Sequence, residues 1–303
     1  MNAVCEPIAA TRPMGVYHGM SFEDYHAVDA VSASSLRVFA RSPWHFKHRV
    51  ETTPTRPMLR GTLVHCALVE PDAMAARYVV VPDDAPKRPT EAQWAAKKSN
   101  ESSEQAKAWW REWQQQAGQR QIVSAEDFAL CRAQLAAIGA VPELAELLAS
   151  GAGEVSIFWI DPATRLYCKA RIDWLHTKVD TARIVELKST ADESPAAFGR
   201  TAARMKYELQ RAHYIDAVKY GARMRVEDFT FAAVTSAAPV LAVPYDLTDE
   251  LIAQASDERA ELMERFAWCR KENTWPAYGA GKQLLDFPAY AKRSGEVEVS
   301  FVE

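Results

Sequence analysis

A chain of 303 residues, 48% hydrophobic and 25% charged, has the composition of an ordinary globular protein and enough apolar material for a core without staples. No apolar run reaches the roughly 20 residues that a membrane-spanning helix needs, and Met1 to Met14 hold two prolines and no apolar stretch of signal-peptide length. The formal net charge of −4 argues against a uniformly basic nucleic-acid binder.

Charge distribution qualifies that exclusion. Residues 31–60 carry Arg37, Arg41, Lys47, Arg49, Arg56 and Arg60 against Glu51 alone. Residues 200–223 carry Arg200, Arg204, Lys206, Arg211, Lys219 and Arg223 against Glu208 and Asp216. An acidic exterior with a basic channel would exclude a polyanion everywhere except the channel. The five cysteines, Cys5, Cys66, Cys131, Cys168 and Cys269, are widely spaced and form no CxxC pair. They signal neither a zinc site nor a disulfide framework, and the expectation is reduced thiols in a cytoplasmic protein.

In chain order, residues 15–60 read as short helices and turns. Ser32 to Ser35 offers N-cap oxygens ahead of Leu36, Val38 and Phe39, and Ser42-Pro43 restarts a helix through Trp44, Phe46 and His48. Residues 58–69 form a helix with Gly61 and His65 one turn apart on one face. A short strand is expected at 77–81. From Pro82 to about Gln119 charged residues, Gln and Ala dominate, with Trp94, Trp109, Trp110 and Trp113 interleaved: a helical excursion whose tryptophans either wedge a duplex end or pack against the domain or a neighbouring subunit. Ser124 starts another helix, with Asp127 three residues on, and Pro142 opens the helix 142–149.

The period then changes. Residues 154–160, 165–175 and 182–188 read as three consecutive strands joined as a meander. One helix is expected from about Pro195 to Arg223, then strands at 228–236 and 239–245. Thr248 caps a long final helix with Asp249 and Glu250 at its positive end. The expected fold is α/β, a central mixed β-sheet flanked by helices with helical N-terminal and insertion elements. The expected organisation is one domain over 1–303: a mainly helical 15–150, a catalytic sheet and helix over 151–245, and a C-terminal helix and tail over 246–303.

Three groups carry the chemistry. Glu186 and Lys188 are two residues apart on one strand, so they share a face, and Asp173 can meet them from the strand before. A carboxylate pair suits Mg²⁺, which stabilises charge on a scissile phosphate and helps make hydroxide from water. A nearby lysine can orient that water or offset the developing charge. Glu154, at the start of the first strand, is either a second-metal ligand or an edge residue. Lys169 and Arg171 share the face of Asp173 and either touch phosphate or balance carboxylates. Ser32, Ser34, Ser35, Arg37 and Arg41 form a capped helix start with two guanidiniums. That arrangement reads as capping plus surface charge, or as a 5′-phosphate pocket.

The stretch EVSIFWIDPATRLYCKARIDWL followed by ARIVELKSTAD resembles the catalytic segment of RecE-type exonucleases, a lambda-exonuclease-like branch of the PD-(D/E)xK superfamily. Gly61 and His65 match its GxxxH element, and Gln210 and Tyr214 its QxxxY element. GVYHGMSFEDYH, RGTLVHCALVEPDAMAARYVVVP and Trp275-Pro276-Ala277 resemble the family as well. The resemblance implies a restriction-endonuclease-like core in which His65, Asp173, Glu186 and the Leu187 carbonyl bind the metal, Lys188 is catalytic, and Gln210 and Tyr214 flank the site. It implies 5′-to-3′ digestion of linear duplex DNA leaving 3′ single strands for recombination, a ring-shaped trimer or tetramer, a single-strand annealing partner and a phage or prophage setting. Histidine at a magnesium site is unusual by ligand hardness, so Mn²⁺ is expected to substitute. Glu186 stands where some relatives have Asp. The alternative reading is a RecB-type single-strand or structure-specific nuclease. A restriction endonuclease would need a sequence-reading element, and none is evident. A non-catalytic DNA-binding relative would have lost one of Asp173, Glu186 and Lys188, and all three are present.

Overall fold

A short strand, β1 (Gly15–Tyr17), comes first, and three helices that begin at serine caps follow: α1 (Phe22–Ala27), α2 (Ala33–Arg41) and α3 (Pro43–Lys47). The computed structural model describes residues 13–50, 53–96, 100–279 and 281–284. Ser32 and Ser35 cap α2 reciprocally, and Ser42 accepts from the His45 amide with Pro43 in the first turn. A hydroxyl cap of this kind contributes about 1 kcal/mol. The next helix, α4 (Arg56–Val69), carries Gly61 and His65, and a 3₁₀ turn and α5 (Met74–Arg77) lead into β2 (Tyr78–Val80).

The tryptophan-rich stretch is helical, as α6 (Glu91–Ala95) and α7 (Glu101–Ala117). Its tryptophans pack within the excursion. Trp110 is buried and donates from Nε1 to the Pro86 carbonyl at 2.8 Å, Trp109 stacks on Trp113, and Arg111 lies over Trp94. A strand with no sequence signal follows, β3 (Gln121–Val123), paired in parallel with β2 as a separate small sheet. Three residues are too few to display a period. Next come α8 (Ala125–Gly139), capped by Ser124, and α9 (Pro142–Leu148). No single helix among the described residues is long and apolar enough to cross a membrane.

The main sheet is built from β4 (Ala152–Ile160), β5 (Tyr167–Thr177), β6 (Thr181–Thr190), β7 (Arg225–Thr235) and β8 (Ala242–Tyr245), with β1 at its edge in the order β1-β4-β5-β6-β7-β8. β4, β5 and β6 form the expected meander. It ends at β6, which pairs with β7 in parallel, Glu186 opposite Phe231. A parallel pair needs a crossover, supplied by α10 (Pro195–Met205) and α11 (Tyr207–Asp216). The expected continuous helix over 195–223 is therefore broken. Lys206 takes the left-handed conformation, φ 57° and ψ 47°, and residues 217–222 finish as a π-helical turn. Thr248 caps α12 (Asp249–Glu272), as expected.

Helices cover both faces of this mixed sheet. On one side Leu36 and Phe39 of α2, Leu209 of α11 and Phe266 of α12 pack with Ile157, Ile172, Ile184 and Phe229. On the other, Leu63 and Val64 of α4, Ile138 of α8 and Leu144 of α9 pack with Val185, Leu187 and Val234. That double cover explains why residues 155–159 are all buried although their sequence suggests one wet face. Cys66, Cys131, Cys168 and Cys269 are buried free thiols, and Cys5 lies outside the described residues.

Candidate functional site

β4 and β5 lose regularity at one level of the sheet, beside the point where the ladder from β5 to β6 ends. Val155 pairs with Ile172 and Gly153 with Trp174, yet Glu154 and Asp173 between them do not pair. Glu154 has φ 54°, a left-handed conformation that costs a non-glycine residue roughly 1–2 kcal/mol. Ile172 packs against the core under α2 and α11, whereas Trp174 packs under α4 and α8, so strand alternation is broken at Asp173. The ladder between β5 and β6 stops at Trp174–Val185. Beyond it carboxylates replace the missing backbone bonds: the Asp173 amide donates to Glu186 Oε1 at 3.1 Å and the Leu187 amide to Asp173 Oδ2 at 2.9 Å.

The helix α4 brings His65 to this break. Its Nε2 lies 3.0 Å from Asp173 Oδ1 and 3.2 Å from Glu154 Oε1. Gly153 permits the approach, since a Cβ there would enter the Val69 carbonyl at the end of α4. One ligand atom from each of His65, Glu154 and Asp173 lies within 4.8 Å of the others. One imidazole nitrogen and two carboxylates converging in this way fit a divalent cation. Glu154 also pairs with Arg171, whose guanidinium donates to the Met20 carbonyl at 2.9 Å.

Glu186 has a further set of partners. It is 1% exposed, its Oε2 accepts from Lys188 Nζ at 3.0 Å and from Gln210 Nε2 at 2.7 Å, and its Oε1 is held by Asp173. The structure thus groups Glu154, rather than Glu186, with His65 and Asp173, and places Glu186 between that trio and Lys188. Leu187 contributes its amide to Asp173. Lys188 Nζ lies 5.0 Å from the Tyr207 ring centroid and 5.9 Å from that of Phe231. Tyr207 was not singled out in the sequence, although it lies three residues before Gln210 and so on the same helical face. Tyr214 is buried and donates to the Arg171 carbonyl at 2.8 Å, bracing β5 two residues from Asp173.

The electrostatics divide the two carboxylates. Burial, reinforced by the Asp173 charge, pushes the Glu186 carboxyl upward. Burial also acts to raise Asp173, but the His65 charge and hydrogen bond, Lys188 and the Leu187 amide outweigh it and hold the group below its ordinary value. Burial acts to lower His65 and Lys188, and the neighbouring carboxylates reverse that, so both cations are favoured.

Several cationic candidates are already committed. Lys169 is buried, its Nζ donating to the Tyr25 carbonyl at 2.8 Å and the Val28 carbonyl at 2.7 Å. These bonds satisfy the loop carbonyls, and the Asp29 charge favours the ammonium against burial. Arg56 and Arg60 pair with Asp127 in the first turn of α8, Arg211 with Asp246, and Lys206 with Glu258. Ser35 Oγ is engaged with Ser32 in the α2 cap, and Ser34 Oγ lies 2.9 Å from Ser32 Oγ. Arg37 and Arg41 are exposed and have no hydrogen bond or ion pair with any described residue. The helix that bears them packs against α11, which carries Gln210. Two cavities, of about 310 and 730 Å³, lie elsewhere, beside Arg211 and Ser256 and beside Arg88 and Trp109. His65, Asp173 and Lys188 are instead mostly buried, with side-chain exposures of 23%, 17% and 12%.

The chain is similar to a solved structure from Eubacterium rectale named "Putative exonuclease", at 15% identity and a TM-score of 0.53, covering 89% of this chain and 95% of that one. At that identity the likeness establishes the fold. No curated protein sequence matches. A family model described as "PDDEXK-like domain of unknown function" (DUF3799) matches residues 32–285, which include every side chain of the cluster. The chain belongs to this family, and with it to the PD-(D/E)xK nuclease superfamily.

Proposed function

We propose that this protein is a metal-dependent exodeoxyribonuclease that digests linear double-stranded DNA from its 5′ ends and leaves 3′ single strands for recombination by annealing. The observation that carries the hydrolytic part is the convergence of His65, Glu154 and Asp173 at a break in the sheet, with Glu186 and Lys188 beside it. The RecE-type resemblance supports the duplex substrate, the polarity, a ring-shaped trimer or tetramer and an annealing partner. The reading treats residues 1–303 as one nuclease domain.

His65, Glu154 and Asp173 would hold Mg²⁺ or Mn²⁺, with Glu186 and the Leu187 carbonyl adjoining. The ion, when bound, supplies Lewis-acid stabilisation of the phosphate and a more acidic water. In the hydrolysis a water oxygen bonds to phosphorus, the bond from phosphorus to the 3′ oxygen breaks, and that oxygen gains a proton. Lys188 would orient the water or offset charge on the phosphoryl oxygens. Gln210 fixes Glu186, Tyr214 braces the strand behind Asp173, and Arg171 holds Glu154. Ser34, Arg37 and Arg41 are the exposed candidates for the 5′-phosphate.

The test is a timed digestion of linear duplex labelled at its 5′ end, with Mg²⁺, with EDTA and with Lys188→Ala. Release of the label as mononucleotide only in the first condition supports the reading. Intact duplex beside cut single strands would move the function to a RecB-type nuclease.

A further inference from the structure

The face made by α3 and the segment after α12 bears none of the metal-site side chains, and α3 itself carries His45 and Lys47 and no carboxylate. Residues 30–50 contain no Asp or Glu and four Lys or Arg residues, Arg37, Arg41, Lys47 and Arg49. Two large rings stand out of this face, Trp44 at 44% exposure and Tyr278 at 62%. They belong to one row. His48 stacks on Trp44 with centroids 4.5 Å apart, His45 meets Trp44 edge-on at 5.4 Å, and Tyr278 lies 5.8 Å from His45.

This ledge stands on a packed base. Phe39, Phe46, Phe266 and Trp275 contact one another beneath it with centroids 4.8 to 6.5 Å apart. The Trp44 amide donates to the Pro276 carbonyl at 3.1 Å, which ties α3 to the segment after α12. Lys47 Nζ lies 5.3 Å from the Trp275 ring and the Arg49 guanidinium 4.4 Å from that of Phe46. The exposed rings are therefore held in place although the core does not bury them.

Partly exposed rings beside Lys47 and Arg49, neither of which has an ion pair with a described residue, match a strand whose bases are free to stack and whose phosphates need neutralising. A duplex hides its base faces inside the helix, so the rings favour a single strand. We propose that this ledge binds single-stranded DNA, with Trp44 and Tyr278 stacking on bases and Lys47 contacting phosphate. The choice of DNA rests on the nuclease reading above.

The test uses the full chain in EDTA, where binding is separated from cleavage. Fluorescence anisotropy would follow a labelled oligothymidylate and an abasic oligomer of the same length. The double variant Trp44→Ala/Tyr278→Ala should bind oligothymidylate about tenfold or more weakly, because both stacking platforms are lost. Its affinity for the abasic oligomer should not change, and Trp44→Phe/Tyr278→Phe should restore binding. Lys47→Glu should weaken both ligands and reduce the salt dependence. Unchanged oligothymidylate affinity in the double variant would overturn the proposal. So would a tighter preference for oligouridylate, or a loss of oligomer mass in light scattering with DNA affinity intact, which would make the ledge a contact between copies of the chain. Duplex digestion failing while the ledge still binds would refute the nuclease reading alone.

Discussion

Lys188 combines three constraints on one ammonium: an ion pair to Glu186, the Tyr207 ring and the Phe231 ring. Its pKa is held up by the carboxylates against burial, so at neutral pH it acts as a fixed cation and not as a base. Lys188→Ala should lower turnover by roughly 10²–10³-fold, the scale of losing one group aimed at developing charge, while leaving metal affinity in place. Single-turnover kinetics beside Mn²⁺ titration would check both halves, and near wild-type turnover would disprove the assigned role. Glu154 provides the complementary test. Glu154→Gln preserves shape but removes one charge from the trio with His65 and Asp173, so Mn²⁺ affinity should fall about tenfold or more. An unchanged affinity would return Glu154 to the edge-residue reading and leave Glu186 as the metal carboxylate.

Elements deliver those residues through two close approaches. The first sets α4 against β4, and it depends on Gly153, where any Cβ would enter the Val69 backbone. Gly153→Ala should cost about 1–3 kcal/mol of stability by overpacking. It should also weaken metal binding, because His65 rides on the displaced helix. Denaturant midpoints and Mn²⁺ titration on the same preparation would show the two effects together; loss of stability with metal affinity intact would detach α4 from the site. The second approach is the Lys206 break, which starts α11 anew at Tyr207 and sets Tyr207, Gln210 and Tyr214 facing the ends of β5 and β6. A continuous helix was the natural reading of 195–223, since no proline or glycine marks Lys206. Helix propensity is a weak prior that tertiary docking overrides.

At the scale of the whole molecule, α12 is joined to the sheet by a buried polar network. Arg259 pairs with Asp216 at 2.6 Å and Asp161 at 3.2 Å, and its Nε lies 3.4 Å from His213 Nδ1. Arg259 donates to Nδ1, so the imidazole is neutral with its proton on Nε2, which donates to the Lys169 carbonyl at 3.1 Å. Burial, then the Arg259 charge, lowers the His213 pKa to about 3. The unfolded chain takes up this proton near its ordinary value of 6.5 while the folded one does not. The contribution to stability is thus fully present above pH 6.5 and is lost as pH falls toward 3, on the order of a few kcal/mol. Urea midpoints against pH should show that slope, and His213→Gln should flatten it. An equally steep slope in the variant would assign acid lability to other groups. The expected trimer or tetramer belongs to this scale as well. Light scattering should give three or four times the 33.8 kDa chain mass, and a stable monomer would count against the ring.

Much of this protein follows from local chemistry. Serine and threonine caps, the lengths of apolar runs and the two-residue spacing of Glu186 and Lys188 act within a few residues, so helix starts, most strands and the shared face of that pair are readable along the chain. The family resemblance supplied His65 and Gln210, because their neighbours lie far away in sequence. What only tertiary structure decided are the relations between elements: the parallel pairing of β6 with β7, the short β3, the buried commitment of Lys169 to loop carbonyls, and the grouping of Glu154 with His65 and Asp173. Each depends on where a distant segment docks, and strand alternation cannot reveal the break at Glu154 and Asp173 that turns both side chains toward one point.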